Sequence, residues 1–240
     1  MHALWAGTAW AGALVMIPAG SYEPLYPADP DQPKVRVEAF ELYDAPVTGR
    51  EFAAFVRDHP EWAPANVSPL MADTRYLAHP TEGEQPATQV SWFAARAFCA
   101  ARGERLPTVD EWEYTARASS SEADASRDPE RLQELLAWYS QPSTGEIGEI
   151  RQRLPNVYGV YDMHGLVWEW VEDFNRTLFG TDGRQGGDDD DLRFCGAGAL
   201  SATDVTDYTR FMRVAFRSAL EGSYTTINLG FRCAKDVEAR

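Results

Sequence analysis

Apolar residues recur at helical spacing in four places along this chain. Phe52, Phe55 and Val56 fall on one side of a segment that opens at Thr48, a residue type whose hydroxyl caps helix N-termini. "WFAARAFCAARG" follows Ser91 and stops at Gly103, and "VDEWEYTARA" follows Thr108. "PERLQELLAWY" begins at Pro129 and turns Leu132, Leu135 and Leu136 inward. Thr108 with Glu111 three residues on is a capping-box signature. Shorter runs predict strands at 13–17, 34–40, 192–195 and 229–234. The rest, broken by 18 glycines and 15 prolines, reads as turn and loop. Long irregular segments in a compact domain point to bound ions, disulfides or functional loops.

With 240 residues, 44% of them hydrophobic, the chain can bury a sizeable core, and 1–240 reads as a single domain. A net charge of −15 argues against holding nucleic acid or anionic lipid by bulk charge, and fits a cation or a basic partner. No apolar run reaches membrane-spanning length. The opening "MHALWAGTAWAGALVMIPAG" lacks the basic region of a signal peptide and reads as a first strand closed by Pro18 and Gly20, with a removed leader left open.

Several chemistries drop out on motif grounds. Cys99, Cys195 and Cys233 match no zinc spacing and permit one disulfide and one leftover thiol. His2, His59, His79 and His164 form no H-x-x-x-H or H-E-x-x-H, which argues against a multi-histidine iron or zinc centre. No G-x-S-x-G and no phosphate-cradling glycine loop is present. "QGGDDDD" at 185–191 reads as a solvated surface loop rather than a metal site.

The stretch with most chemistry is "YGVYDMHGLVWEWVEDF", residues 158 to 174. Extended around 165–170, it sends Trp168 and Trp170 one way and Glu169 the other. The carbonyls of Gly165 and Val167 then share a side, and with the Asp162 and Glu169 side chains they offer four oxygens to one hard cation. Oxygen-only ligation of this kind suits Ca²⁺. The other reading, equally open on spacing, has both carboxylates capping surface turns.

"MIPAGSY", "APVTGREFAAFV", "QVSWFAARAFC", "RLPTVDEWEYTAR", "PNVYGVYDMHGLVWEW" and "NLGFRCA" stand in the order seen in formylglycine-generating enzymes, the sulfatase-modifying factors, and the resemblance runs from about residue 14 to 236. It implies an α+β, C-type-lectin-like fold poor in regular secondary structure and organised around calcium. It also implies that Asp162, Glu169 and the Gly165 and Val167 carbonyls form the family's second calcium site. The family's other calcium loop has no clear counterpart before Pro155. Cysteines matching Cys99 and Cys233 are bridged in the family, which leaves Cys195 free and implies an oxidising, periplasmic or extracytoplasmic compartment, with the cytosol as the alternative.

The resemblance places Trp168, Tyr208, Arg217 and Asn228 along the family's active groove. Aerobic members oxidise a substrate cysteine to formylglycine with O₂ and a copper ion held by two cysteines. Those positions fall here on Asp204 and Thr209, hard and weak substitutes for thiolates. The family's G-N-V-W has become "GLVW" and its R-G-G-S has become "FCGAGAL", which sets Cys195 at the groove edge as either a small buried hydrophobe or a redox or metal-binding thiol. "FCGAGAL…DYTRFMR" resembles proteins associated with copper nitrite reductases. Three functions follow: an oxidase or maturation factor with an altered centre, with copper or iron near Cys195, Tyr208 and Asp204; a non-catalytic binding module; and an orthodox formylglycine generator. The substrate, a protein or a small molecule, is not specified.

Overall fold

The computed structural model describes residues 12–27, 29, 31–141, 146–176 and 205–237. Cys195, Asp204 and the strand expected at 192–195 lie outside these. Capping signals are met in full. In α1 (Gly49–Asp58) the Thr48 hydroxyl accepts the Glu51 amide while Glu51 accepts the Thr48 amide, a capping box, and Phe52 and Phe55 are buried. Ser91 caps α2 (Trp92–Ala100), and Thr108 with Glu111 closes the box opening α3 (Val109–Ala116). Asp128 accepts two amides at the start of α4 (Pro129–Tyr139), where Leu132 and Leu135 are buried and Leu136 is half-buried.

The strands are shorter than the sequence suggests. The run at 34–40 divides into β3 (Val35–Val37), paired with β2 (Gly20–Tyr22), and β4 (Phe40–Tyr43), paired with β1 (Leu14–Ile17). Glu38 and Ala39 make the break, so that one apolar run serves two sheets. The run at 229–234 divides likewise into β6 (Leu229–Phe231) and β7 (Ala234–Asp236), because Arg232 turns its side chain into the interior between them. Strand β4 lies between β1 and β7, antiparallel to both. Strand β5 (Trp168–Trp170) pairs parallel to β6, with Trp168 opposite Leu229.

One further helix, α5 (Val205–Ser218), is not among the elements expected from the sequence. Its buried positions at four-residue spacing are Thr209, Arg213 and Arg217. Tyr208, Phe211, Met212, Ala215 and Phe216 recur at helical spacing and were the available signal, although the face the helix buries is the polar one.

Phe52, Phe98 and Phe231 pack ring on ring at 5.2–5.9 Å and join α1, α2 and β6. Beside them Cys99 and Cys233, both fully buried, form a disulfide across 134 residues with a Cα–Cα distance of 5.6 Å. The loop it closes is long, so the chain-entropy model assigns it about 5 kcal/mol of stabilisation. No helix among the described residues is long and apolar enough to cross a membrane. Thiol counting on the denatured, unreduced protein should find one free thiol, Cys195, and reduction should lower the melting temperature.

Candidate functional site

Strand β5 anchors the site. The Trp168 amide donates to the Asn228 carbonyl at 2.8 Å. Neither side of the strand meets open solvent: Trp170 and Glu169 are buried and Trp168 is half-buried. Trp170 donates its indole N–H to the Val90 carbonyl, deep in the core.

Glu169 is neutralised from inside the protein. Arg232 donates through Nε to Oε2 at 2.8 Å and through Nη2 to Oε1 at 2.7 Å, and the Trp112 indole donates to Oε2 at 2.8 Å. Arg232 also donates to the carbonyls of Tyr43 and Tyr161. Both charged side chains are fully buried. Removing one member of such a pair strands the other and costs about 3–5 kcal/mol.

Asp162, at φ +56°, accepts the Arg151 amide on Oδ2 at 2.6 Å. Burial raises its carboxyl pKa, against the pull of that amide and of Arg232. Gly165, at φ +87°, lies under the Arg153 guanidinium, where a Cβ would collide. The oxygens of Asp162, Gly165, Val167 and Glu169 are the hard donors that calcium takes. Their charge is another matter, because the Arg232 guanidinium on Glu169 and the Arg153 guanidinium over Gly165 offset the two carboxylates. A carboxylate offers about four acceptor positions, and three of those on Glu169 are taken. A calcium ion would use the one left at Oε1 and draw on water to reach its usual coordination. Among the described residues, no three His, Cys, Asp or Glu side chains are grouped to hold a metal.

On the far side of Trp112 lies a second cluster. Arg213 grips Glu113 through Nε and Nη2 at 2.8–3.0 Å, and Arg217 donates to the same carboxylate at 2.6 Å. Arg213 further donates to the Tyr139 hydroxyl and the Thr209 carbonyl, both at 3.2 Å. Arg217 lies over the Trp112 ring at 4.7 Å. Burial would raise the Glu113 pKa, but the two guanidiniums overcome it and hold the carboxyl well below its ordinary 4.5. Above the cluster, Trp168 is stacked by Phe216 at 4.2 Å and Tyr139 at 5.3 Å. His164 sits edge-on to Trp112, its Nε2 3.1 Å from the Ala116 carbonyl. Burial and the nearby charges of Arg213 and Arg131 push its pKa well below 6.5, so the ring is neutral at pH 7. These groups enclose a cavity with space for about one water molecule.

Of the groove residues taken from the resemblance, the structure brings Trp168 and Arg217 to this cavity. Thr209, which the resemblance sets at a family thiolate position, is buried on the same helix face as Arg213 and Arg217. Tyr208 is 39% exposed, and Asn228 contributes its carbonyl to β5 while its side chain accepts the Thr226 hydroxyl. Glu113, Arg213 and His164 were not singled out from the sequence. The Thr209, Arg213, Arg217 spacing was the available signal for Arg213; none existed for the other two.

A pH prediction follows for Glu113. Its folded pKa lies below its unfolded value, so its contribution to stability is complete above about pH 4.5 and fades as pH falls toward the folded value. Glu113→Gln should lose about 3–5 kcal/mol at neutral pH by stranding the two arginines. Urea unfolding should show the gap to the unsubstituted protein narrowing below pH 4.5.

The chain is 29% identical to the inactive Cα-formylglycine-generating enzyme 2 of Bos taurus, over 84% of this chain and 78% of that protein. It is 28% identical to the formylglycine-generating enzyme of Streptomyces coelicolor, over 89% and 84%. The solved structure of PvdO from Pseudomonas aeruginosa shares the fold, with a TM-score of 0.53 and 20% identity over 93% of this chain and 94% of that one. Residues 7–237 match the sulfatase-modifying factor enzyme 1-like (FGE-sulfatase) domain, and the chain belongs to that family.

Proposed function

We propose that this protein is an oxidoreductase or maturation factor on the formylglycine-generating scaffold, with an altered centre and a role in bacterial redox metabolism of the denitrification type. One observation carries the reading. Trp168 and Arg217 line one cavity, and Thr209, which the resemblance sets at a family copper-thiolate position, offers a hydroxyl in place of a thiolate. A Cu(I) ion prefers thiolates, so the family's copper site is not reproduced at that residue. Any copper or iron would depend on Cys195, Asp204 and Tyr208, the first two of which lie outside the described residues. The narrow cavity favours, as a second reading, a non-catalytic binding module. The Cys99–Cys233 bridge supports residence in the periplasm or another extracytoplasmic space.

Oxygen uptake measured with thiol and with phenolic substrates, alongside metal analysis of the purified protein, tests the reading. Turnover with either class is expected, and no uptake with any metal supplied favours the binding module. A Cys-x-Pro-x-Arg peptide should keep its cysteine sulfur by mass spectrometry. Conversion to the aldehyde would reinstate the orthodox activity.

A structural calcium ion at Asp162, Gly165, Val167 and Glu169 belongs to the same proposal. An ion that binds only the folded state stabilises by mass action, so chelation should lower the melting temperature and added calcium restore it. Equal melting temperatures would leave Arg232 as the sole counter-charge of Glu169.

A further inference from the structure

His164 has a role in neither the fold nor the proposed chemistry. Its Nε2 faces the Ala116 carbonyl, which can only accept, so Nε2 carries a hydrogen; with the Arg213 and Arg217 guanidiniums lining the same cavity a second is disfavoured, and Nδ1 presents a lone pair. Nδ1 is buried, and no donor meets it among the described residues. Native interiors leave few buried acceptors unanswered, because each forfeits its hydrogen bond to water. The same ring lines the cavity beneath Trp168.

We propose that His164 Nδ1 receives one uncharged O–H donor in this cavity, supplied by a water molecule or by the hydroxyl of a small organic ligand. The lone pair on Nδ1 selects for an occupant with a hydrogen to give. A metal cation would meet Arg213 and Arg217, and a bare anion, though drawn by those arginines, has no hydrogen to offer Nδ1. A hydroxyl suits both: it donates to Nδ1, and its oxygen can accept from an arginine N–H. The space admits about one such oxygen. Its surroundings are the half-buried aromatic rings of Trp138, Tyr139, Trp168 and Phe216, so an organic ligand would present its hydroxyl from an apolar or aromatic body. The assignment rests on geometry and needs no turnover, so it stands or falls apart from the oxidase reading.

Nitrogen-15 NMR of the full chain with labelled histidine, at a fixed neutral pH, tests it with phenol as the probe. If water is the source, Nδ1 resonates as an unprotonated, hydrogen-bonded nitrogen without additive and phenol leaves it unmoved. If an organic hydroxyl is the source, phenol shifts the Nδ1 resonance upfield saturably, and the shift is lost in His164→Phe. Either result supports the proposal. It is overturned if Nδ1 carries the proton, or if Nδ1 keeps the resonance of a free lone pair at every phenol concentration. A crystal structure with a donor of the protein itself on Nδ1 would overturn it as well. Should His164→Phe fail to fold, the spectra of the unsubstituted protein decide alone.

Discussion

A buried carboxylate and a buried guanidinium, neither able to reach water, fix the geometry of this protein. Glu169 and Arg232 stand 63 residues apart and satisfy each other with two hydrogen bonds. Trp112, Tyr43 and Tyr161 complete the contacts. A slip of β5 by one residue would exchange Glu169 for a tryptophan at the Arg232 side, leaving both charges buried and alone. The pair therefore sets the register of β5 against β6 and ties α3, the end of β4 and the 158–162 turn to that register. Trp112, held on one side by Glu169, carries Arg217 and His164 on the other, so the floor of the cavity is fixed by an ion pair of which only Glu169 lines it.

The second cluster repeats this solution with two arginines for one carboxylate. Glu113 on α3 meets Arg213 and Arg217 one turn apart on α5, which docks that helix by charge as well as by the stacking of Phe216 on Trp168. The surplus positive charge lies inside a chain whose net charge is −15. An arginine floor beneath an aromatic mouth turns metal cations away from that cavity. The presence in the family of proteins named as active and as inactive formylglycine-generating enzymes leaves activity to be decided by such local chemistry, since fold alone does not assign it.

What the sequence made legible was largely local. Thr48, Ser91 and Thr108 announce α1, α2 and α3 because a cap and its helix lie within a few residues of each other. Phe52, Phe55, Leu132 and Leu135 follow simple periodicity. Helix α5 escaped although Tyr208, Phe211, Met212 and Phe216 recur at helical spacing, because the face it buries is the polar one, and Arg232 interrupts a strand run to meet Glu169, a partner distant in sequence. The resemblance supplied Trp168, Arg217 and the Cys99–Cys233 pairing. It could not supply the partner of Glu169, and an opposite charge 63 residues away leaves no pattern in either segment.

The disulfide also governs how the fold would carry mechanical load. Strands β1 and β7 flank β4 and run parallel to each other, so tension on the two ends pulls them in opposite directions along the sheet. Their hydrogen bonds are then sheared together instead of being opened one after another. Once that sheet yields, force passes from Cys99 to Cys233 through the sulfur bridge, and the segment between them is never stretched. Helices α3, α4 and α5, strands β5 and β6, and the cavity they enclose all lie within that bypassed loop. Tension sufficient to pull away the amino-terminal strands would leave the candidate site unextended.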